Sequence, residues 1–356
     1  MTHRIALALL LSGVGPALLN AAETPSPALL VLSKGDLTLS TVDPTTLQVI
    51  GRVPSGPDPH EVIASTDGRV AYISNYGGGA FNTITVVDLI NQKALPVIDL
   101  GPLRGPHGLT FVAGKLWFTA EGAKVIGSYD PVTNKIDWVL GTGQNRTHMI
   151  FVADDLKWMV TSNVASASMT FIEKTAGRPG GPGPGPGGPP PGQGGGPAGP
   201  PMGPPRADWN ETIVAVGRGA EGFDVTPDGK ELWAANAQDG TISIIDLASR
   251  KVVQTLDANV KSANRLKFTP DGKLALVSTL GGPDLAIFNV PTRKEVKRVK
   301  IGRGAAGIQM EPNGARAFVA CTPDDYVVIV DLKSLEVTGH LNAGKGPDGM
   351  AWAVRQ

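Results

Sequence analysis

The chain has 356 residues, with 32 Lys and Arg against 32 Asp and Glu, so its formal net charge is zero. This balance argues against a general nucleic-acid or membrane-surface binder, which needs an overall excess of basic residues. The single cysteine, Cys321, excludes an internal disulfide and a cysteine-rich zinc site. Length and a hydrophobic content of 41% allow either one large β domain or two smaller domains.

The first segment, residues 1–22, resembles a secretory signal peptide. His3 and Arg4 precede an apolar run, and the segment ends in small residues. A retained membrane anchor is the alternative, but Gly and Pro interrupt the run and it is too short to span a bilayer. We therefore expect an exported protein, periplasmic or secreted after cleavage, with no membrane span in the mature chain 23–356.

From residue 28 onward the chain repeats a unit of four short runs with period-two alternation. An Asp-Gly or similar turn separates the first two runs of a unit. One position at the start of the first run marks each unit, and we call its occupants the anchor residues: His60, His107, His148, Glu221, Asn264, Ala306 and Asp348. Units of 40 to 45 residues with four strands each predict an all-β fold, a seven-bladed β-propeller with four strands per blade.

The two ends of the repeat region predict how the ring closes. One run, at 349–354, follows the last anchor, whereas three runs, at 28–33, 37–43 and 47–53, precede the first. We therefore expect the last blade to combine one C-terminal strand with three N-terminal strands. Such a closure leaves no exposed sheet edge at the chain ends.

A Gly/Pro-rich insert at 178–206 interrupts the repeat. Residues 179–205 contain 24 Gly or Pro in 27 positions, without the strict period of collagen. Such a segment cannot bury apolar surface, and we expect it to be disordered. Because the repeat continues on both sides, we interpret it as an expanded surface turn of a single domain; a tether or partner-docking loop is the alternative.

Two segments carry a resemblance to a known family. PDGKELWAAN at 227–236, followed by TISIIDL at 241–247, and YISN at 72–75 resemble the YVTN-repeat β-propellers, which include YncE-like exported proteins. The family is similar to the lactonase-type seven-bladed propellers. The resemblance implies the propeller fold over the mature chain outside the insert. It leaves the function open, because members include lactonases, lyases, cofactor-enzyme subunits and proteins with no known reaction.

The anchor residues should share one mouth of the central channel, because strand one of every blade begins there. Three consecutive anchors are His60, His107 and His148, and Glu121 should lie between the last two. Imidazoles with a carboxylate suit Zn, Cu or Fe. We predict that these four residues bind a divalent metal, with His107 and Glu121 catalytic and Glu121 the fourth ligand or general base. The alternative is a set of histidines that hydrogen-bond channel water.

Further polar residues are expected at the same mouth. Strand two of each blade should end there, in a second ring that also includes Glu121, Thr279, Cys321 and, in the seventh place, Lys34. Basic residues two or three positions before the anchors predict a collar that attracts an anionic ligand: Arg104, Arg146, Arg218, Lys261, Arg303 and Lys345. Solvated loop charge is the alternative for this collar. We predict that the substrate contacts come from Asn75, Arg104, Arg146, Asn163, Glu221, Asn236, Asn264 and Asp348.

Two functions of different class are consistent with this sequence. Resemblance to the lactonase-like propellers implies an exported enzyme that cleaves a small anionic lactone or ester by metal-dependent hydrolysis or lyase chemistry. The alternative is a non-catalytic propeller that binds or scaffolds a periplasmic partner. Few aromatic residues fall at the mouth, so we do not expect nucleic-acid binding. We expect a monomer.

Overall fold

The computed structural model of the protein describes residues 25–175 and 208–355. The predicted signal peptide at 1–22 and the predicted disordered insert at 178–206 lie outside these described residues.

The described residues form 28 β-strands arranged in seven antiparallel sheets of four strands. We number blades 1 to 7 in the order of their anchor residues, so that His60 belongs to blade 1 and Asp348 to blade 7. The first strands in the chain belong to blade 7: β1 (Ala28–Ser33), β2 (Thr38–Asp43) and β3 (Gln48–Pro54). Blade 1 contains β4 (Pro59–Ala64), β5 (Val70–Asn75), β6 (Thr83–Asp88) and β7 (Lys93–Asp99). Blade 2 contains β8 (Pro106–Val112), β9 (Lys115–Ala120), β10 (Val125–Asp130) and β11 (Lys135–Gly141).

The remaining blades follow the same plan. Blade 3 contains β12 (Thr147–Val152), β13 (Trp158–Asn163), β14 (Ser168–Thr175) and β15 (Asp208–Ala215). Blade 4 contains β16 (Ala220–Val225), β17 (Glu231–Asn236), β18 (Thr241–Asp246) and β19 (Lys251–Asp257). Blade 5 contains β20 (Ala263–Phe268), β21 (Leu274–Thr279), β22 (Asp284–Asn289) and β23 (Lys294–Lys300). Blade 6 contains β24 (Ala305–Met310), β25 (Arg316–Cys321), β26 (Tyr326–Asp331) and β27 (Glu336–Leu341), and β28 (Pro347–Ala353) completes blade 7.

The ring closes between the two ends of the described chain. β28 pairs antiparallel with β1, from Ala28 opposite Ala353 to Ser33 opposite Pro347, so blade 7 has the strand order β28-β1-β2-β3. The innermost strands of successive blades contact one another around the whole ring. The predicted seven-bladed, all-β propeller is therefore confirmed, including its closure by one C-terminal and three N-terminal strands.

The core lies between the blades. Seven buried apolar clusters fill the ring, and each cluster combines residues of two neighbouring blades. Trp233 of blade 4, for example, packs with Leu266 and Phe268 of blade 5. A middle strand is covered on both faces in this way, which explains why β5, β9 and their equivalents are buried along nearly their whole length.

The turns after the third strand explain the recurring Asp of the repeat. In six blades the last residue of that strand accepts hydrogen bonds from backbone N–H groups two or three positions later, as an Asx turn does. These residues are Asp43, Asp88, Asp130, Asp246, Asn289 and Asp331. In blade 3, β14 ends instead at Thr175, and its partner β15 begins at Asp208, so this connection is the one that carries the insert.

Two short 3₁₀ turns, Gly77–Gly79 and Thr322–Asp324, are the helical segments in the described part of the chain. No helix in that part has the length and apolar character needed to cross a membrane.

Every innermost strand is irregular at its anchor. The pairing with strand two shifts register across the anchor and the residue after it, in all seven blades. The residue after the anchor is Gly in four blades, and a Cβ there would overlap the anchor carbonyl oxygen of the next blade. The four glycines are Gly108, Gly222, Gly307 and Gly349. The bulge therefore brings successive anchors into backbone contact.

We predict that Gly349→Ala destabilises the propeller by about 1–3 kcal/mol, the usual cost of forcing extra volume into a packed site. Its Cβ would collide with the carbonyl oxygen of His60, which belongs to backbone and has little freedom to move. Urea unfolding measures the change. Gly141→Ala is the matched control, since no atom lies within 4 Å of its Cβ position. Equal stability of the two variants would contradict the close blade contact.

Candidate functional site

The three histidine anchors of blades 1 to 3 meet at one mouth of the channel. The ring centroids of His107 and His148 are 3.7 Å apart, and those of His60 and His107 are 4.4 Å apart. These residues are separated by more than forty positions in the chain, and the ring brings them together because each occupies the same place in its blade. The three imidazoles therefore form one continuous cluster.

Hydroxyl side chains opposite the bulges fix the spacing of the anchors. Thr119 Oγ1 accepts a hydrogen bond from Gly108 N at 2.9 Å and donates one to the carbonyl oxygen of His148 at 2.7 Å. Ser162 links Met149 N to the Glu221 carbonyl in the same way, at 3.2 and 3.0 Å. Each hydroxyl thus joins the bulge of one blade to the anchor of the next.

His148 lies between two carboxylates. Its Nδ1 is 2.5 Å from Glu121 Oε1, and its Nε2 is 3.1 Å from Glu221 Oε1, without hydrogen-bond alignment at the second contact. Burial opposes a charge on the imidazole, but the two carboxylates outweigh it and raise the pKa of His148 to about 9. At neutral pH a proton is therefore favoured on His148, and a metal ion would have to compete with it.

Glu121 is held at both oxygens. Its Oε2 accepts a hydrogen bond from the Tyr76 hydroxyl at 2.5 Å and lies 3.6 Å from Arg146 Nε. A second guanidinium nitrogen of Arg146 lies 3.6 Å from Glu221 Oε1. Burial opposes ionisation of both carboxyl groups, but contact with His148 lowers the pKa of Glu121 and of Glu221 below the usual value. Both are therefore carboxylates at neutral pH.

His107 is the least satisfied group in the cluster. It is 1% exposed, and neither ring nitrogen has a hydrogen-bond partner among the described residues. Burial, and then the charge of His148, hold the pKa of His107 well below its usual value, so the ring is neutral and offers a lone pair. Buried polar groups in proteins nearly always have partners. An unpartnered neutral imidazole at the channel mouth is therefore a candidate ligand position.

Three side chains have the geometry to share a metal ion. Ligand atoms of His107, Glu121 and His148 all lie within 4.8 Å of one another. Two imidazoles and one carboxylate suit Zn or Fe. The donor set and the unpartnered nitrogens of His107 thus fit a divalent transition metal, the cofactor that the sequence predicts.

His60, the fourth predicted ligand, has other partners. Its Nδ1 is 2.5 Å from Lys34 Nζ and 3.5 Å from Asp348 Oδ2. Lys34 also contacts Asp58 Oδ1 at 3.1 Å and Asp348 Oδ2 at 3.4 Å. Burial, followed by the Lys34 charge, holds the pKa of His60 well below its usual value. Burial raises the pKa of Asp348.

Strand register identifies which positions after strand two reach the cluster. Asn75 and Asn163 each pair with the residue that precedes the anchor of their blade. In blade 2 the residue paired in this way is Ala120, because the β8–β9 hairpin is shorter. Glu121 therefore lies one position beyond Asn75 in register. Tyr76 and Lys34 occupy that same position in blades 1 and 7. Sequence spacing put Glu121 in one ring with Asn75 and missed Tyr76.

A positive backbone φ marks Asp58, another residue that sequence analysis missed. The residue two before the anchor has a positive φ in every blade, and in four blades it is Gly. Asp58 (φ 42°), Arg146 (φ 53°) and Ser262 (φ 59°) replace that glycine, although the conformation is unfavourable for them. Arg146 contacts Glu121 and Glu221, which flank His148, and Asp58 contacts Lys34, which adjoins His60. The departure from Gly in the repeat is the signal that could have identified Asp58.

The three asparagines predicted to orient substrate are fully buried. Each amide group joins the end of strand two to hydroxyl groups of strand three in its own blade, and Asn75 Nδ2 also donates to the Ser55 carbonyl. Asn75 accepts from Thr83 and Thr85, Asn163 donates to Ser168 and Thr170, and Asn236 donates to Thr241 and Ser243. Their placement gives no support to a role in substrate binding.

The basic collar is mostly engaged locally. Arg218 pairs with Asp239 and Arg303 with Asp324, each within its own blade. Arg104 is exposed, and its Nη1 donates to the Ala80 carbonyl at 2.9 Å. Of the collar residues, Arg146 is the one whose side chain reaches the histidine cluster.

The other predicted contacts are divided between the two halves of the mouth. Glu221 adjoins His148, and Asp348 adjoins His60, as described above. Asn264 of blade 5 is 9% exposed, and its Oδ1 has no hydrogen-bond partner among the described residues. Asn264 and Ala306 leave the anchor positions of blades 5 and 6 uncharged.

A buried ion pair lies just below the anchors. Arg265 of blade 5 pairs with Glu61 of blade 1, two blades that are not neighbours in the ring, and Arg265 Nη1 also donates to the Asn264 carbonyl at 3.0 Å. Both residues of the pair line a cavity of about 180 Å³ between the innermost strands.

Comparison with known proteins supports the fold. No protein-family model matches the chain, and no curated protein sequence matches it. A functionally unknown protein from Desulfotomaculum acetoxidans DSM 771 superposes with a TM-score of 0.71 at 13% identity, over 93% of this chain and 100% of that one. A proposed 6-phosphogluconolactonase from Bacteroides fragilis NCTC 9343 has a TM-score of 0.67 at 15% identity, over 95% and 99%. The dihydro-heme d1 dehydrogenase NirN has a TM-score of 0.58 at 15% identity, over 91% and 74%.

At these identities the comparisons show a shared propeller architecture and no more. Some of these neighbours are named as enzymes, but a shared fold does not imply a shared reaction.

Cys321 is predicted to be unreactive in the folded protein. The thiol is fully buried beside the Ile301 carbonyl, and burial raises its pKa to about 12. We expect no labelling by a thiol-specific reagent at pH 8 in the native state and complete labelling in denaturant. Rapid native labelling would show that the thiol is accessible as a ligand or nucleophile.

Proposed function

We propose that the channel mouth binds one divalent transition metal through His107, His148 and Glu121, and that the protein hydrolyses small anionic esters or lactones. The proposal rests on the buried His107 imidazole. Neither of its nitrogens has a hydrogen-bond partner among the described residues, and a ligand atom of the ring lies within 4.8 Å of ligand atoms of His148 and Glu121. The lactonase-type neighbours make such a reaction plausible for the fold without identifying a substrate.

A bound divalent metal would supply Lewis-acid polarisation of the acyl carbonyl and a more acidic water. The residues around it have separable tasks. Tyr76 and Arg146 hold Glu121 Oε2, which fixes the carboxylate that faces His148. Partners of this kind orient metal ligands and tune their basicity.

Glu221 is the group best suited to accept a proton. Its side chain is 15% exposed, against 4% for Glu121, and contact with His148 favours its ionised form. Water would add to the carbonyl carbon while its proton passes to Glu221, and the acyl C–O bond would then break. The leaving alkoxide would take up that proton from Glu221, giving an acid and an alcohol and restoring the carboxylate.

Arg146 is the cation of the cluster that is most open to solvent, with 44% of its side chain exposed. It would bind the carboxylate of an anionic substrate at the rim of the mouth. Four carboxyl groups lie around the cluster, so this single guanidinium, rather than a general positive field, carries the preference for anions.

Metal content tests the proposal directly. We expect about one equivalent of transition metal in the wild type by elemental analysis, and loss of it in His107→Ala, which removes a buried ligand. His340→Ala is the matched control, because His340 lies exposed on the outer strand of blade 6. A folded wild type that neither contains nor takes up metal would remove the metal centre, and the binding or scaffold function would then be the better account.

A second substitution separates proton transfer from metal binding. Glu221→Gln preserves shape but removes the base, so we predict retained metal with kcat lower by roughly 10²–10⁴-fold. Steady-state hydrolysis of a panel of carboxylated esters and lactones provides the measurement. Unchanged kcat in Glu221→Gln, in an active enzyme, would exclude Glu221 as the base.

A further inference from the structure

Lys34 Nζ contacts three side chains, one by a hydrogen bond and two by ion pairs. Its Nζ lies 2.5 Å from His60 Nδ1, 3.1 Å from Asp58 Oδ1 and 3.4 Å from Asp348 Oδ2. A lysine ammonium donates three hydrogens and accepts none. Two of the contacts are to carboxylate oxygens, and the closest of the three is the one to the imidazole.

The short contact determines which nitrogen of His60 carries the hydrogen. Because Lys34 can only donate, Nδ1 must accept, and a neutral ring then carries its hydrogen on Nε2. The opposite tautomer would direct Nδ1–H at Asp348 Oδ2, which is 3.5 Å away and beyond normal hydrogen-bond length. An imidazolium would place an N–H group directly against the ammonium.

The rest of the His60 ring faces the mouth. Tyr76 packs on it with ring centroids 5.1 Å apart, and His107 contacts it at 4.4 Å with a 68° interplanar angle. The side chain is 23% exposed, and no hydrogen bond joins Nε2 to another described residue. The Nε2–H group is therefore available to a ligand beside the proposed metal ligands.

We propose that Lys34 is a positioning residue that holds His60 as a neutral imidazole, whose Nε2–H donates a hydrogen bond to the carbonyl oxygen of the substrate. His60 is then a donor to the reacting oxygen and is not a metal ligand. Neutral imidazoles can stabilise developing negative charge on oxygen in this way. The role of the donor in catalysis rests on the proposed hydrolytic function, whereas the tautomer does not.

Nitrogen-15 NMR of the histidine side chains tests the tautomer without any assay of activity. In wild type at neutral pH we expect His60 to show an unprotonated Nδ1 and a protonated Nε2, with His60→Ala providing the assignment. Lys34→Met removes the donor at similar length and should give a mixture of tautomers. Lys300→Met, an exposed lysine on the outer strand of blade 5, is the control and should leave the spectrum unchanged. Protonated Nδ1 in wild type would overturn the proposal, whether or not the Lys34 variant folds.

Metal content and kinetics test the role of the donor. His60→Ala should retain its metal but lose roughly 10²–10³-fold in kcat with little change in KM, as expected for a lost donor to the reacting oxygen. Lys34→Met should lower kcat by about tenfold. Loss of metal in His60→Ala would make His60 a ligand and contradict the inference even if hydrolysis is confirmed. Absence of hydrolysis with the expected tautomer would instead refute the proposed function alone.

Discussion

The backbone irregularity at the start of each innermost strand is the constraint on which the site depends. At this bulge two residues, the anchor and the residue after it, lie opposite a single residue of strand two. In blades 2 and 3 that single residue is Thr119 or Ser162, and its hydroxyl group donates a hydrogen bond to the anchor carbonyl of the next blade. Where the successor is Gly, as in blade 2, the neighbouring blade approaches to backbone contact. Anchors of consecutive blades are therefore held at a fixed spacing, and imidazoles at three of them must touch.

Charge then differentiates three histidines that the fold places equivalently. Two carboxylates face His148 and favour its protonated form, whereas His107 has no hydrogen-bond partner among the described residues and stays neutral. Lys34 faces His60 and makes its Nδ1 an acceptor. One position in the repeat thus holds three imidazoles in different environments, and the difference arises from Glu121, Glu221 and Lys34, which reach the anchors from neighbouring strands and blades. Metal binding as we propose it would require His148 to give up its proton.

The sequence predicts the ring and its closure well, because hairpin turns and period-two runs are local signals repeated seven times. It also predicts that the three histidines share a mouth, since that follows from the repeat alone. Tyr76 was missed for a different reason. Its identification needs strand register to within one residue, and the shorter hairpin of blade 2 shifts Glu121 relative to Asn75. The pair between Glu61 and Arg265 joins blades that are distant in the ring, and no local pattern indicates which side chains meet across a channel.

The central claim is that His107, His148 and Glu121 form one metal-binding cluster at the channel mouth. An anomalous difference map, from crystals of protein purified without chelator and equilibrated with zinc, tests it most directly. The account predicts one dominant peak within bonding distance of all three residues and none at Lys34. A map without a peak there, with His148 still bridging Glu121 and Glu221, would contradict it.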